Sequence, residues 1–127
     1  MNESEKKSAL IICAHGSSDN DYNKDFLIFF SKLKAEVKRE IFYCFIEKSK
    51  PSIQKCIDLV YRDFSSIDFL PLFLFNGHHV SKDIRNELKI VEKEKKTKIN
   101  LIEKVSLFNE VSSIVNEEIK KNLKNDK

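Results

Sequence analysis

Glycine is scarce in this sequence, whose 127 residues contain only Gly16 and Gly77. Gly16 follows His15, Gly77 precedes His78 and His79, and the chain has no other histidine. Glycine adopts backbone conformations that other residues avoid. We therefore treat these two histidine-bearing segments as the first candidates for a functional site.

Cysteine is also rare, and its spacing excludes several kinds of site. Cys13, Cys44 and Cys56 form no CxxC pair, which argues against a disulfide framework, a cysteine-based zinc site and an iron–sulfur cluster. We expect all three thiols to be reduced and to pack as small apolar side chains.

Long apolar runs and a strong charge imbalance are likewise missing. No run approaches the roughly 18 apolar residues that a membrane span needs, and the polar start MNESEKKSAL does not resemble a secretory signal. These features predict a cytoplasmic protein that binds no membrane. The formal net charge is only +3, with acidic residues among the lysines. This pattern argues against nucleic-acid binding but suits an acidic small molecule.

What the chain does contain is a regular alternation of two apolar patterns. Short apolar runs predict strands, and apolar residues at helical spacing predict helices between them. The predicted strands cover 8–14, 41–46, 67–75 and 98–102, and the predicted helices cover about 22–38, 51–61, 81–94 and 109–123. The order βαβαβαβα predicts a single α/β domain over residues 1–127: a four-stranded parallel sheet flanked by helices, with 1–7 and 124–127 frayed.

Three residues define finer expectations about these elements. Pro51 is suited to the first position of the second helix, and Ser81 is suited to cap the third. Pro71 interrupts the third apolar run, so we expect the well-paired part of that strand to lie on one side of it.

Polar residues with metal-binding side chains follow the first three predicted strands. An interval of 32 residues separates His15 from Glu47, and the same interval separates Glu47 from His79. Ligands of open parallel sheets bind at the carboxyl ends of the strands, and two imidazoles with one carboxylate suit a divalent transition ion with open positions. Each residue alone is more often an ordinary polar loop residue. Their convergence favours a metal or catalytic site.

Three strings resemble the class II tetrapyrrole chelatases of the CbiX/SirB group. ALIICAHGSSDNDYNKDF resembles that family's first motif, CFIEKSKPSI the second, and PLFLFNGHHVSKDI the third, in the right order over residues 8–88. The presence of one copy of each motif resembles the short form of the family. That form is expected to work as a homodimer in which the partner completes the site.

This resemblance implies a sirohydrochlorin chelatase that inserts Co²⁺ or Fe²⁺, and in similar short proteins Ni²⁺, for cobalamin or sirohaem synthesis. It requires no organic cofactor. By motif position, His15, Glu47 and His79 are the implied catalytic and metal-binding residues. Residues near them that could contact the substrate are Ser17, Lys48, Gly77, His78, Lys82 and Arg85.

Two positions depart from the family pattern. Many relatives have Arg where this chain has Ser18, so another cation would have to replace it. His78 occupies a position that is often Gly or another small residue, and its imidazole could add a ligand and alter metal preference.

Two other functions use similar residues. A metal or tetrapyrrole carrier without turnover would bind through the same side chains. A histidine phosphatase also has His-Gly after a strand, but it needs Arg before that histidine, where this chain has Ala14.

Overall fold

The computed structural model describes residues 7–73, 77–102 and 110–123. These ranges contain strands and helices in strict alternation. In chain order they are β1 (Ser8–Ala14), α1 (Asn20–Glu36), β2 (Ile41–Phe45), α2 (Ile53–Val60), β3 (Ser66–Pro71), α3 (His78–Lys95), β4 (Lys98–Leu101) and α4 (Val111–Asn122). A short 3₁₀ turn, Tyr61–Asp63, follows α2.

The four strands form one parallel sheet in the order β2-β1-β3-β4. This confirms the predicted α/β class. Because β1 lies between β2 and β3, the chain segments that follow these three strands are neighbours at the carboxyl edge of the sheet. β3 ends at Pro71, which is in register with Cys13, so the paired part of this strand lies on the amino-terminal side and includes the proline.

Helices cover both faces of the sheet. One face packs against α2 and α3 around the fully buried side chains Ile11, Ile57 and Phe69. The other packs against α1, whose Phe26 and Phe30 contact the side chains of β2. Burial on both faces explains why β1 reads as a continuous apolar run rather than as an alternation.

Two predicted helix starts were wrong. Pro51 is not the first residue of α2. Its carbonyl accepts a hydrogen bond from the Phe45 N–H at 2.9 Å, which holds it outside the helix, and Ser52 caps α2 instead. Ser81 does not cap α3, because Gly77 holds that position. The Ser81 N–H donates to the Gly77 carbonyl at 3.2 Å, an ordinary bond within the helix.

Polar residues join three strands near the opposite, amino edge of the sheet. Arg39 Nη2 donates to Asp68 Oδ2 at 2.9 Å and to the Ser8 carbonyl at 3.0 Å. Asn100 Nδ2 donates to Asp68 Oδ1 at 3.2 Å. We refer to Arg39, Asp68 and Asn100 as the amino-edge cluster.

The last helix is the most exposed element. α4 has no buried residue, and it presents Ile114, Val115, Ile119 and Leu123 to solvent at 47–62% exposure. We call these four residues the α4 stripe. Within the described ranges, none of the helices has both the length and the apolar character that crossing a bilayer requires.

The predicted frayed ends lie largely outside the described residues. Lys7 is the exception: its carbonyl accepts a hydrogen bond from the Ser65 N–H at 3.2 Å.

Candidate active site

The segments after β1 and β2 continue to pair beyond the ends of the strands. The Ile46 N–H donates to the Ala14 carbonyl, and the Glu47 N–H donates to the His15 carbonyl, each at 3.0 Å. The structure thus brings together the backbones of two predicted site residues, His15 and Glu47. This pairing holds both at the carboxyl edge of the sheet.

Gly16 makes this close approach possible. Its φ is 86°, a left-handed conformation that side chains disfavour. A β-carbon at this position would lie 1.9 Å from the Glu47 carbonyl oxygen and 3.1 Å from the Phe45 β-carbon. The expected special role of glycine is therefore confirmed here.

Gly77 differs from Gly16 both in its backbone conformation and in the space around it. Its φ is −71°, and no described atom lies within 4 Å of the position of a β-carbon. It serves as the N-cap of α3, a position where glycine is common but not required.

A tight turn follows Glu47. The Ser49 N–H donates to the Glu47 carbonyl at 2.7 Å, and Lys48 between them has a φ of 63°. A hydrogen bond across three residues with a positive central φ is the arrangement of a γ-turn, which is strained for a residue other than glycine. The sequence does not reveal this turn, because Glu-Lys-Ser contains no turn-forming glycine or asparagine.

The His15 ring is supported by an aromatic side chain. Its centroid lies 4.4 Å from that of Phe73, with an angle of 33° between the ring planes. Phe73 is buried and His15 is half-buried, so one face of the imidazole packs against the core. Glu47 is exposed.

His79 lies on a different element from His15 and Glu47. It is exposed and lies in the first turn of α3, although the sequence predicted that this helix begins at residue 81, and it makes a contact within the chain. The backbone of His78 lies in the same turn. Among the described residues, no three His, Cys, Asp or Glu side chains are close enough to hold one ion together.

The remaining predicted substrate contacts lie around these segments. Ser17 Oγ accepts a hydrogen bond from the Asp19 N–H at 2.9 Å, which gives it a role in the turn before α1. Lys48 is exposed in the γ-turn. Lys82 and Arg85 follow His78 at intervals of four and seven residues on α3, a spacing that places them on one side of the helix.

The three cysteines lie in the core beneath this edge. All are free and buried, and Cys13 is the register partner of Cys44. Hydrogen bonding with Cys13 and Cys56, together with burial, raises the pKa of the Cys44 thiol. A hydrogen bond from Cys44 lowers the pKa of Cys56. The prediction that these cysteines are free and packed in the core is confirmed.

Comparison with known proteins places this arrangement in a family. The family model CbiX matches residues 9–122. The sirohydrochlorin cobaltochelatase of Sulfolobus acidocaldarius is 30% identical over 115 residues, which cover 90% of this chain and 91% of the relative. The chain belongs to the CbiX family.

Solved structures have the same fold. A CbiX protein of Marinobacter aquaeolei VT8 matches 94% of this chain and 99% of its own, with a TM-score of 0.84 and 22% identity. The sirohydrochlorin chelatase SirB of Bacillus subtilis subspecies spizizenii, in complex with cobalt, matches 91% of this chain with a TM-score of 0.78 and 23% identity. SirB from Bacillus subtilis with Fe³⁺ gives the same TM-score and identity. This CbiX chain corresponds to 50% and 47%, respectively, of those two SirB chains.

Proposed function

We propose that this CbiX protein is a sirohydrochlorin chelatase that inserts a divalent metal ion into the tetrapyrrole. The observation that carries the proposal is the fixed pairing of the His15 and Glu47 segments at the carboxyl edge of the sheet. A match with a cobaltochelatase along nearly its whole length supports Co²⁺ as substrate. Fe²⁺ is the second candidate, and insertion of Ni²⁺ remains a prediction.

The reaction needs a group that binds the ion and a group that accepts protons. Two inner N–H groups of the macrocycle lose their protons as the ion enters, and their electron pairs form the new metal–nitrogen bonds. Neutral imidazole holds a divalent ion and also accepts a proton, so His15 and His79 are assigned both tasks. In this proposal Glu47 lowers the charge at the centre and accepts a proton.

The macrocycle itself is polyanionic. Lys48, Lys82 and Arg85 border the segments that carry Glu47 and His79, and we assign them to its carboxylates because charge-assisted hydrogen bonds of this kind are strong. Ser17, Gly77 and His78 complete the proposed substrate contacts. Within the described residues the three metal ligands do not form a ready-made cluster, so the proposed set assembles when the ion and the macrocycle bind.

A second copy of the chain completes the site in this proposal. The apolar α4 stripe is exposed, and each SirB chain is about twice as long as this one. A homodimer would therefore contain about as much chain as one SirB molecule. A single domain and a cytoplasmic location, both expected from the sequence, stay predictions.

The test is anaerobic absorbance of sirohydrochlorin with Co²⁺, Fe²⁺ or Ni²⁺ and substoichiometric protein, compared with the same mixture without protein. We expect many equivalents of the macrocycle to be converted per protein, fastest with Co²⁺. Conversion that stops at one equivalent, or binding without conversion, would support a carrier instead. As a control, Lys120→Ala, on the side of α4 away from the α4 stripe, should convert at the normal rate.

A further inference from the structure

Ser49 connects the two segments that carry His15 and Glu47. Its hydroxyl donates a hydrogen bond to the Ser17 carbonyl at 3.0 Å and accepts one from the Ser17 N–H at 3.4 Å. One side chain thus binds both backbone groups of a residue 32 positions away. Ser49 is half-buried, which protects these bonds from competition with water.

The same serine also determines the turn after Glu47. Its N–H donates to the Glu47 carbonyl across the strained Lys48, and that carbonyl lies against Gly16. A strained backbone conformation persists only where the surrounding contacts hold it. The contacts between Ser49 and Ser17 hold this turn against the His15 segment.

A third element is joined to the same point. Asn23 Nδ2, in the first turn of α1, donates to the Ser17 carbonyl at 2.8 Å. This carbonyl therefore accepts hydrogen bonds from both Asn23 and Ser49. The segment between His15 and α1 is therefore held by two contacts. One comes from α1, and the other comes from Ser49, which lies in the same turn as Glu47.

We propose that Ser49 is a positioning residue for metal insertion, because it holds the backbone segment that carries Glu47 against the segment that carries His15. The inference rests on the proposed function, since it assigns Ser49 a task only if these two side chains handle the ion. Groups that orient metal ligands through hydrogen bonds typically affect affinity or activity by about 10- to 100-fold.

The experiment compares Ser49→Ala with Ser49→Thr, which keeps the hydroxyl, and with Ser52→Ala as the matched control. Ser52 lies three residues further on, and its hydroxyl accepts from the Lys55 N–H to cap α2. Both alanine variants lose one hydroxyl from the same segment, but only one loses the connection to Ser17. Each is assayed for kcat, for KM toward sirohydrochlorin, for Co²⁺ affinity of the protein alone and for thermal unfolding.

We expect Ser49→Ala to lose about 10-fold in kcat and in Co²⁺ affinity, with KM for sirohydrochlorin within about twofold of the wild type. Ser49→Thr should recover most of the loss. Ser52→Ala should lower the unfolding temperature while kcat stays normal. Should Ser49→Ala fail to fold, the kcat of Ser49→Cys provides the comparison, because its slightly larger thiol makes only weak hydrogen bonds. The Co²⁺ affinity of this variant is left out of the comparison, since a thiol can itself bind the ion.

Two results would overturn the inference in distinguishable ways. If the wild type turns over and Ser49→Ala retains normal kcat and Co²⁺ affinity, the inference fails and the proposed function stands. If the wild type shows no turnover with any of the three ions, the proposed function fails and the inference with it.

Discussion

The carbonyl oxygen of Glu47 occupies space that only a glycine at position 16 leaves open. An ideal β-carbon on Gly16 would lie 1.9 Å from that oxygen, and the His15 carbonyl accepts a hydrogen bond from the Glu47 N–H at 3.0 Å. The absence of a side chain at one residue therefore permits the contact between the two segments that carry the proposed chemistry.

Substitution of Gly16 should destabilise the protein more than substitution of Gly77. Gly16→Ala combines a disfavoured φ with a clash against backbone, so we expect it to lower the free energy of unfolding by more than about 2 kcal/mol. Gly77→Ala should change it by less than about 0.5 kcal/mol, because the β-carbon meets open space. Denaturant unfolding of both variants checks this, and equal losses would refute the argument.

The proposed catalytic residues should be separable from the fold. His79 is exposed, so His79→Ala should leave the unfolding transition nearly unchanged while metal insertion slows by at least about 100-fold, the contribution typical of a lost proton acceptor. Glu47→Gln should also reduce turnover strongly. Initial rates under anaerobic conditions, with circular dichroism as the folding control, provide the measurement. Near-normal turnover of either variant would remove that residue from the mechanism.

Two adjacent phenylalanines of α1 provide a matched test of the core. Phe30 is 7% exposed and packs edge-on against Tyr43 with centroids 5.0 Å apart, whereas Phe29 is 44% exposed. We expect Phe30→Ala to cost about 3–4 kcal/mol of unfolding free energy through lost burial and cavity formation. Phe29→Ala should cost less than about 1 kcal/mol. Denaturant midpoints that shift equally would contradict the assigned packing.

Glu87 of α3 should make stability depend on pH. Burial raises the pKa of this carboxyl above its ordinary value of 4.5, so the folded protein favours the protonated form. The stability that the protonated Glu87 carboxyl contributes is fully present below pH 4.5 and is lost as the pH rises through the raised pKa. Glu87→Gln should therefore stabilise the protein at pH 7, by less than about 0.5 kcal/mol, and this gain should shrink toward pH 4.

Thermal unfolding at the two pH values tests this expectation. Glu94→Gln, at an exposed position of the same helix, controls for the loss of one negative charge. If Glu87→Gln stabilised the protein more at pH 4 than at pH 7, the pKa of Glu87 would be shifted in the opposite direction to the one stated here.

The α4 stripe should determine the oligomeric state. Ile119 is 49% exposed, and a carboxylate in its place would be buried without a partner if this surface pairs with a second copy. We expect the wild type to be dimeric, as proposed, and Ile119→Glu to be monomeric at the same concentration. Ser113→Glu, on the opposite side of α4, should remain dimeric. Light scattering after size-exclusion chromatography distinguishes these outcomes, and a dimer that survives Ile119→Glu would exclude this stripe.

The inner strand β1 was predictable because it is buried on both faces. The apolar run 8–14 coincides with β1, and Pro71 ends β3 where the loss of a backbone donor is tolerated. The helix starts were less predictable, because contacts between distant residues decide them. The hydrogen bond from Phe45 to the Pro51 carbonyl is one such contact.

The candidate site was predictable only in part. The positions of His15 and Glu47 after neighbouring strands follow from the alternation of elements, and the structure brings their backbones together. The γ-turn at Lys48 and the contacts of Ser49 depend on bonds to a segment 32 residues away. No local pattern encodes them. The placement of His79 within α3 differs from the predicted start at residue 81, because Ser81 is the better N-cap by residue type and Gly77 holds the position instead.

The amino-edge cluster has a consequence for how this protein tolerates change. Arg39 and Asp68 join the strands at the end of the sheet opposite His15 and Glu47. Residues that fasten the scaffold are thus distinct from residues proposed to select the ion. Substitutions that redirect metal preference need not disturb this cluster. A lineage could therefore exchange one ion for another in small steps, each of which leaves a folded protein.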